Sequence, residues 1–171
     1  MALTRINNQA LANVTAAGLP TGSVIQVKQA HKSDALQTTS TSFADLSGLS
    51  VSITPTSASS KFLVMVRVSG QLWSHGHTYF RLMRGSTVIG DGDAAGSRTT
   101  CFSSTESNVD WATSDHSIQY LDSPNTTSQI TYKVQGRAEY NTLNINRSNR
   151  DDNSIADQRT SSQITVMEIA G

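Results

Sequence analysis

KFLVMVRVSGQ, residues 61–71, is the stretch that decides the fold. Every second residue of its first half is apolar and points to one side of an extended chain: Phe62, Val64, Val66 and Val68. That two-residue period is typical of a β-strand. Leu63 and Met65 make the opposite side apolar as well. A strand that is apolar on both sides is predicted to lie in the centre of a sheet, covered on two faces.

Shorter alternating runs follow one another along the chain after residue 22. They predict strands at 23–30, 49–53, 79–84, 87–90, 117–121, 129–137, 142–146 and 163–169, with loops rich in Ser, Asn, Asp and Gly at 91–100, 103–116, 122–128 and 147–162. Gly85-Ser86 fits a type II′ hairpin turn between two of these strands. About eight to ten short strands and no helical period predict an all-β fold, an antiparallel β-sandwich or jelly roll. The last strand is predicted inside a sheet, because an exposed edge invites aggregation.

The first 22 residues differ from the rest and are predicted to form an N-terminal arm, followed by a head domain at 23–171. The arm has apolar residues at near-helical spacing: Leu3, Ile6, Ala10, Leu11 and Val14. Asn7, Asn8 and Asn13 weaken a helix, and the run GLPTG at 18–22 ends it. The arm is therefore either a flexible terminus or a segment that becomes ordered on a partner. In the second case Leu3, Ile6, Leu11 and Val14 would make the contact.

The composition bounds the function. Thirteen Lys and Arg balance thirteen Asp and Glu, which argues against nucleic acid or an anionic membrane as the main partner. The surface polarity comes instead from 25 Ser and 20 Thr. Cys101 is the single cysteine, so an intrachain disulfide is impossible. No signal peptide or membrane span is recognisable, and the protein is expected to be made in a cytoplasm without membrane insertion.

A glycine-rich run after a predicted strand raises the question of nucleotide binding. Gly90, Gly92 and Gly96 follow the strand at 87–90, but the spacing is one residue too long for a dinucleotide fingerprint. The hydroxyl-rich residues 97–107 would make a poor helix, and without a helix N-terminus a pyrophosphate has no row of free N–H groups. The run is therefore interpreted as a loop, and no cofactor is expected.

Catalytic and metal-binding patterns are equally weak. The sequence has no G-x-S-x-G nucleophile elbow and no pair of glutamates that stands out, so the chain is predicted not to be an enzyme. Asp91 with Asp93, and residues 151–153, are interpreted as solvated acidic loops. His75 and His77 form an H-x-H pair whose rings would point to one side of a strand. Three copies about an axis could offer six such ligands to a transition metal, while the simpler interpretation is two exposed histidines.

Several stretches resemble a domain that recurs in fibre and other virion proteins of tailed bacteriophages, notably marine and cyanobacterial phages. Spread in order over residues 23–171, these stretches are LSGL at 46–49, ITPTSASSK at 53–61, RLMRGSTVIG at 81–90, LDSP at 121–124, YKVQ at 132–135, INRS at 145–148 and SQITVMEI at 162–169. The resemblance implies a β-sandwich head, a homotrimer, and display on a virion. It carries over no catalytic residue, because the shared motif is structural. It also implies that a short arm with a head fits a tail fibre or a capsid decoration protein.

The sequence therefore predicts a phage virion structural protein, a short trimeric fibre or tail-fibre head that contacts the host surface. Two alternatives stay open: a capsid decoration or head-fibre protein that reinforces the shell, and a free carbohydrate-binding module. The arm would bind other virion proteins. Receptor or host-glycan contacts are expected in loops 70–79, 91–116 and 147–162, where aromatic rings could stack on sugar faces. The candidate contact residues are Trp73, His75, His77, Trp111, Tyr140, Arg147 and Asn149.

Overall fold

The protein is described by a computed structural model that covers residues 18–72, 76–107 and 109–171. This part of the chain contains eleven strands and no α-helix. In chain order the strands are β1 (Val24–Lys32), β2 (Leu36–Thr38), β3 (Ala44–Ile53), β4 (Lys61–Leu72), β5 (Gly76–Arg84), β6 (Thr87–Ile89), β7 (Ser103–Ser107), β8 (Ser114–Asp122), β9 (Ile130–Ala138), β10 (Leu143–Ile145) and β11 (Ser162–Ile169).

Eight of these strands make two antiparallel sheets. Sheet I has the order β1-β11-β4-β8, and sheet II has the order β3-β9-β5-β7. The short β10 and β2 extend sheet I beyond the start of β11, and β6 continues sheet II beyond β7. Most connections cross from one sheet to the other, which is the topology of a jelly roll. The prediction of an all-β sandwich is confirmed.

The core lies between the sheets and is built from the alternating residues recognised in the sequence. From β4 it takes Phe62, Val64, Val66 and Val68, each at most 4% exposed. β4 is central, since it pairs with β8 on one side and with β11 and β10 on the other. The prediction that both faces of β4 are covered is wrong for the described chain, because Leu63 and Met65 are only half-buried on the outer face of sheet I.

β11 lies between β1 and β4, so the prediction of an internal last strand is confirmed. Its register pairs Met167 with Val27 on one side and with Leu63 on the other. The Gly85-Ser86 hairpin is also confirmed: Arg84 pairs with Thr87, and Gly85 has a φ of 58°.

Two elements differ from the prediction. β7 occupies part of what was predicted as a loop at 103–116, because its hydroxyl-rich sequence SSTES carries no apolar alternation. β2 is only three residues long and was not predicted. The glycine run after β6 does form a loop: Gly90 has a φ of 74°, and a Cβ there would lie 2.8 Å from Ile118. Glycine is needed at that position for both reasons.

Buried Glu168 closes the end of the sandwich at which β4 begins. Its Oε1 accepts hydrogen bonds from the backbone N–H and the hydroxyl of Thr56, both at 2.7 Å, and Gln26 donates to its Oε2. Burial would raise the pKa of Glu168, but hydrogen bonds from Gln26 and Thr56 help to hold it below its ordinary value. The carboxylate therefore ties β11 to β1 and to the loop before β4.

The predicted arm is described only from residue 18, so Leu3, Ile6, Leu11 and Val14 lie outside the described residues. The chain enters sheet I beside the end of β11. Gly22 N–H donates to the carbonyl of Ala170 at 2.8 Å, and Ala170 N–H donates to the carbonyl of Ser23 at 2.8 Å. No helix of the part that can be described has the length and apolarity to cross a membrane.

Candidate recognition surface

Several of the loops predicted to contact a receptor lie at one end of the sandwich, where β4 ends at Leu72 and β11 begins at Ser162. Antiparallel pairing brings the start of β8, the end of β9 and the strand β10 to the same end. We call this end, with loops 109–113, 139–142 and 146–161, the loop end. Loop 91–102 is not part of it, since it connects β6 to β7 along the side of the sandwich.

Two buried asparagines fix loop 146–161 to the sheets. Asn149 donates to the carbonyl of Leu72 at 2.7 Å and accepts from Asn144 at 2.5 Å. Asn146 donates to the carbonyl of Lys32 at 2.9 Å and accepts from Ser162 at 2.6 Å. Asn149 is 2% exposed, so its side chain faces the interior, where a receptor does not reach. This corrects the prediction that Asn149 makes a surface contact.

Ion pairs inside loop 146–161 add to its order. Asp151 accepts from Arg147 at 3.2 Å and from Arg159 at 2.8 Å, while Arg150 pairs with Asp157 at 3.0 Å. Burial would raise the pKa of Asp157, but hydrogen bonds from Arg150 and Ser148 hold it below its ordinary value.

Arg147, another predicted contact residue, makes its ion pair and hydrogen bonds within its own loop. Its guanidinium also donates to the carbonyls of Ser148 and Asn149, both at 3.1 Å. Its side chain keeps 17% exposure. The loop leaves an open polar pocket of ≈ 290 Å³, lined by Asp151, Asp152, Asn153, Ser154, Asp157, Gln158 and Arg159.

Trp111 lies on loop 109–113, which is hydrogen-bonded to β4 and to loop 146–161. Gln71 of β4 donates to the carbonyl of Val109, and the N–H of Arg150 donates to the carbonyl of Asp110 at 3.1 Å. Thr113 donates to Gln158 at 3.1 Å. The Trp111 ring is nevertheless 52% exposed. A large exposed aromatic on an anchored loop offers a flat surface that loses little entropy on binding.

Tyr140 is the second exposed aromatic of the loop end, at 42%. Its ring lies against the backbone of Gly76, where an added Cβ would come within 3.0 Å of the ring and 2.2 Å of Leu72. Next to it, His77 Nδ1 lies 2.8 Å from a carboxylate oxygen of Glu139, which also accepts from the His77 N–H at 3.0 Å. These hydrogen bonds hold the pKa of Glu139 below its ordinary value.

The H-x-H metal hypothesis stays a prediction. His75 and Trp73 lie outside the described residues, and His77 is paired with Glu139. Within the described ranges, no three His, Cys, Asp or Glu side chains come together as a metal site would require.

One serine and one histidine do form a contact that resembles part of a hydrolase site. Ser103 Oγ lies 2.9 Å from His116 Nδ1, and the imidazole packs on Phe80 with ring centroids 4.5 Å apart. His116 is 2% exposed, and its Nε2 has no hydrogen-bond partner among the residues that the structure describes. The pair connects β7 to β8, with the imidazole in the core.

The outer face of sheet II carries charged and aromatic residues that the sequence reasoning missed. The Arg81 guanidinium lies 3.9 Å from the centroid of Phe43, and that of Arg137 lies 4.9 Å from Tyr79. Lys133 pairs with Asp45 at 2.7 Å. The alternate positions of β9 were a usable signal, since its outer residues Thr131, Lys133, Gln135 and Arg137 are all polar.

Comparison with known proteins shows no matching family model and no matching curated protein. Among solved structures, a chain of the infectious bursal disease virus Gx strain aligns with a TM-score of 0.46 and 8% identity, over 88% of this chain and 39% of that chain. A chain of the T13 IBDV viral particle aligns with a TM-score of 0.42 and 10% identity, over 85% of this chain and 36% of that chain. This chain thus spans less than two fifths of either. Both TM-scores are below 0.5, so the functional argument rests on the residues of this chain alone.

Proposed function

We propose that the chain is a structural protein of a virus particle, without catalytic activity, that uses its loop end to contact a host surface. The observation that carries the proposal is the pair of exposed aromatic rings, Trp111 and Tyr140, on loops that hydrogen bonds attach to neighbouring elements. Rigid aromatic platforms beside a polar pocket suit the alternating apolar and hydroxyl faces of a sugar. The neutral net charge disfavours a partner held by long-range attraction.

More narrowly, we propose a short trimeric fibre head of a tailed bacteriophage, in which Leu3, Ile6, Leu11 and Val14 dock the arm on other virion proteins. The support for this narrower proposal is the run of sequence resemblances between residues 46 and 169, together with a jelly-roll head that agrees with them. A jelly roll alone hosts many functions, so the fold adds consistency and not proof.

A binding experiment tests host contact. The full chain is applied to an array of bacterial surface polysaccharides, beside Trp111→Ala, Tyr140→Ala and the control Ser104→Ala on the outer face of sheet II. Each aromatic substitution should weaken binding by about five- to thirtyfold, since a stacked ring contributes on the order of 1–2 kcal/mol, and the control should bind as the unchanged chain does. Equal binding by all four proteins would refute the loop end as the contact surface.

The assembly state is tested separately by light scattering at micromolar concentration. A trimer is expected for the fibre head. A monodisperse monomer that still binds polysaccharide would favour a free carbohydrate-binding module. A protein that binds no polysaccharide but attaches to particles would favour the decoration protein.

A further inference from the structure

The outer face of sheet I carries a continuous apolar row. The register of the strands aligns Val27 with Met167, Met167 with Leu63 and Leu63 with Leu121, so one side chain from each of four strands lies side by side. Val27 is 53% exposed and Leu121 55%, while Met167 and Leu63 are half-buried. Single exposed apolar residues are normal on a protein surface, whereas a contiguous set indicates something that covers it.

One of the two rows beside the apolar row is uncharged, and the other includes the exposed Lys61, which pairs with Ile169. The next row along the strands is Gln29, Thr165, Met65 and Gln119. On the row's other side, Val24 pairs with Ile169, and Val24 is 50% exposed. The outer face of sheet II, in contrast, carries the charged Asp45, Arg81, Lys133 and Arg137. The difference shows that an uncovered sheet face in this protein need not be apolar.

The chain enters sheet I at this same place. Gly22 is hydrogen-bonded to Ala170, and β1 begins at Val24, beside Ile169. Residues 1–17 therefore precede, by a few residues, a patch that leads from Val24 to the apolar row. They include Leu3, Ile6, Leu11 and Val14, and only one charged side chain, Arg5.

The length of the segment fits the surface. Four strands spaced by about 4.8 Å make the row about 14 Å wide. Residues 3–14 cover that width whether extended, at about 3.3 Å per residue, or helical, at 1.5 Å per residue. The tether also gives the segment an effective concentration on the order of millimolar, well above that of a second copy at micromolar concentration.

We propose that residues 1–17 seat on the apolar row of their own chain, with Leu3, Ile6, Leu11 and Val14 against Val27, Met167, Leu63 and Leu121. This inference does not depend on the proposed function. The inference adds a condition to the proposed function, because side chains held on sheet I in the free protein have to leave the apolar row before they dock on a particle. The row then competes with the particle for the same residues.

Cross-linking tests the occupant. In a Cys101→Ser background, the full chain carries Ile6→Cys with Leu121→Cys, and a matched control carries Ile6→Cys with Ser104→Cys, which places the second thiol on the exposed outer face of sheet II. A short bis-maleimide should join the first pair within one molecule at least about tenfold faster than the control pair, because docking raises the local concentration. Equal rates would overturn the proposal. A product with the mass of two chains would also overturn it, in favour of a second copy.

Methyl NMR of the full chain gives an independent readout that needs no added cysteine. Met167 lies in the apolar row, Met65 lies in the next row, and Met83 on the outer face of sheet II serves as an internal reference. The double substitution Ile6→Ser with Leu11→Ser should move the Met167 methyl resonance and leave that of Met83 in place, while the polar control Gln9→Ser should move neither. An unchanged Met167 resonance in the double variant would contradict docking on the row.

Discussion

Two buried polar clusters connect the sheets, and they differ in how fully the buried ionisable side chain is hydrogen-bonded. At the end of β8, Asp122 accepts two hydrogen bonds from Arg84, at 2.8 and 3.0 Å, and a third from the hydroxyl of Tyr132 at 2.7 Å. Near the start of the same strand, His116 makes one hydrogen bond to another side chain of the described residues, that of Ser103. Asp122 is 5% exposed and His116 2%, so burial is nearly equal and the number of partners is what differs.

The two clusters act differently on the ionisable groups within them. Burial, followed by the hydrogen bond to Asp122, raises the pKa of Tyr132 well above its ordinary range and keeps the hydroxyl as a donor. Burial lowers the pKa of His116 to about 4, and nearby groups offset that only in part. The fold therefore stabilises the neutral forms of Tyr132 and His116.

Removing the carboxylate from the first cluster should have the largest effect. Asp122→Ala leaves the Arg84 guanidinium without its partner at the sheet boundary and the Tyr132 hydroxyl without an acceptor. We expect a loss of about 3–5 kcal/mol in the free energy of unfolding, measured by urea denaturation. A loss below about 1 kcal/mol would mean that water hydrates the groups of this cluster. The contrast drawn between Asp122 and His116 would then be wrong.

Acidification should affect the second cluster next. The pKa of His116 in the fold, about 4, lies below its ordinary value of 6.5, so the fold favours the neutral ring. Stability from this residue is therefore complete above pH 6.5, falls as the pH drops from 6.5 to 4, and is reduced by about 3 kcal/mol below that.

Urea midpoints between pH 8 and 4 measure this dependence, with His116→Gln as the control that cannot titrate. The variant should lose the slope between pH 6.5 and about 4.5, where acidic groups such as Glu168 are still ionised. An unchanged slope would assign the acid sensitivity to other groups.

A single hydrogen bond to the charged cluster should matter less than the whole cluster. Tyr132→Phe keeps the ring and its packing on Phe62, whose centroid lies 6.0 Å away, and removes one donor from Asp122. We expect a loss of about 2 kcal/mol, the magnitude of a hydrogen bond to a charged group. Thermal unfolding of the two proteins side by side measures it, and a loss as large as that of Asp122→Ala would contradict the separate role given to Arg84.

The smallest effect is expected from an ion pair of similar length on the surface. Lys133 pairs with Asp45 at 2.7 Å, but Asp45 keeps 53% exposure. Asp45→Ala should therefore change the free energy of unfolding by less than about 1 kcal/mol, and less still in high salt. An effect comparable to that of Asp122→Ala would show that an ion pair stabilises the fold as much on the surface as in the interior. Burial and the number of hydrogen bonds would then not explain the large effect of Asp122→Ala.

The fold could be predicted from the sequence wherever apolar residues alternate. β4, β9 and β11 show that pattern and fall close to their predicted bounds. β7 could not be predicted, because its serines and threonines pair through the backbone and leave no apolar period. β4 is apolar on both sides, and this pattern predicted burial on both faces. In the structure its outer side contributes Leu63 to the apolar row.

The sequence predicted some of the loops of the loop end but not the roles of their residues. Loop 147–162 lies there and loop 91–102 does not, and Trp111 and Tyr140 are exposed there. Asn149 turns inward instead, through Leu72, which lies far away in sequence, and Arg147 bonds within its own loop. A residue type indicates what a side chain can bind, but only the tertiary structure decides whether it faces solvent or backbone.

The position of β11 has a consequence for how the protein is made. β1 and β4 do not pair with each other, because β11 lies between them. β11 is translated after all the other strands of the fold. Until β11 emerges from the ribosome, both neighbours keep an open edge that another nascent chain could pair with. Folding of the head is therefore expected to wait for β11 and to be slow, in the millisecond-to-second range of non-local β topologies, and to gain from chaperones when many copies are synthesised at once.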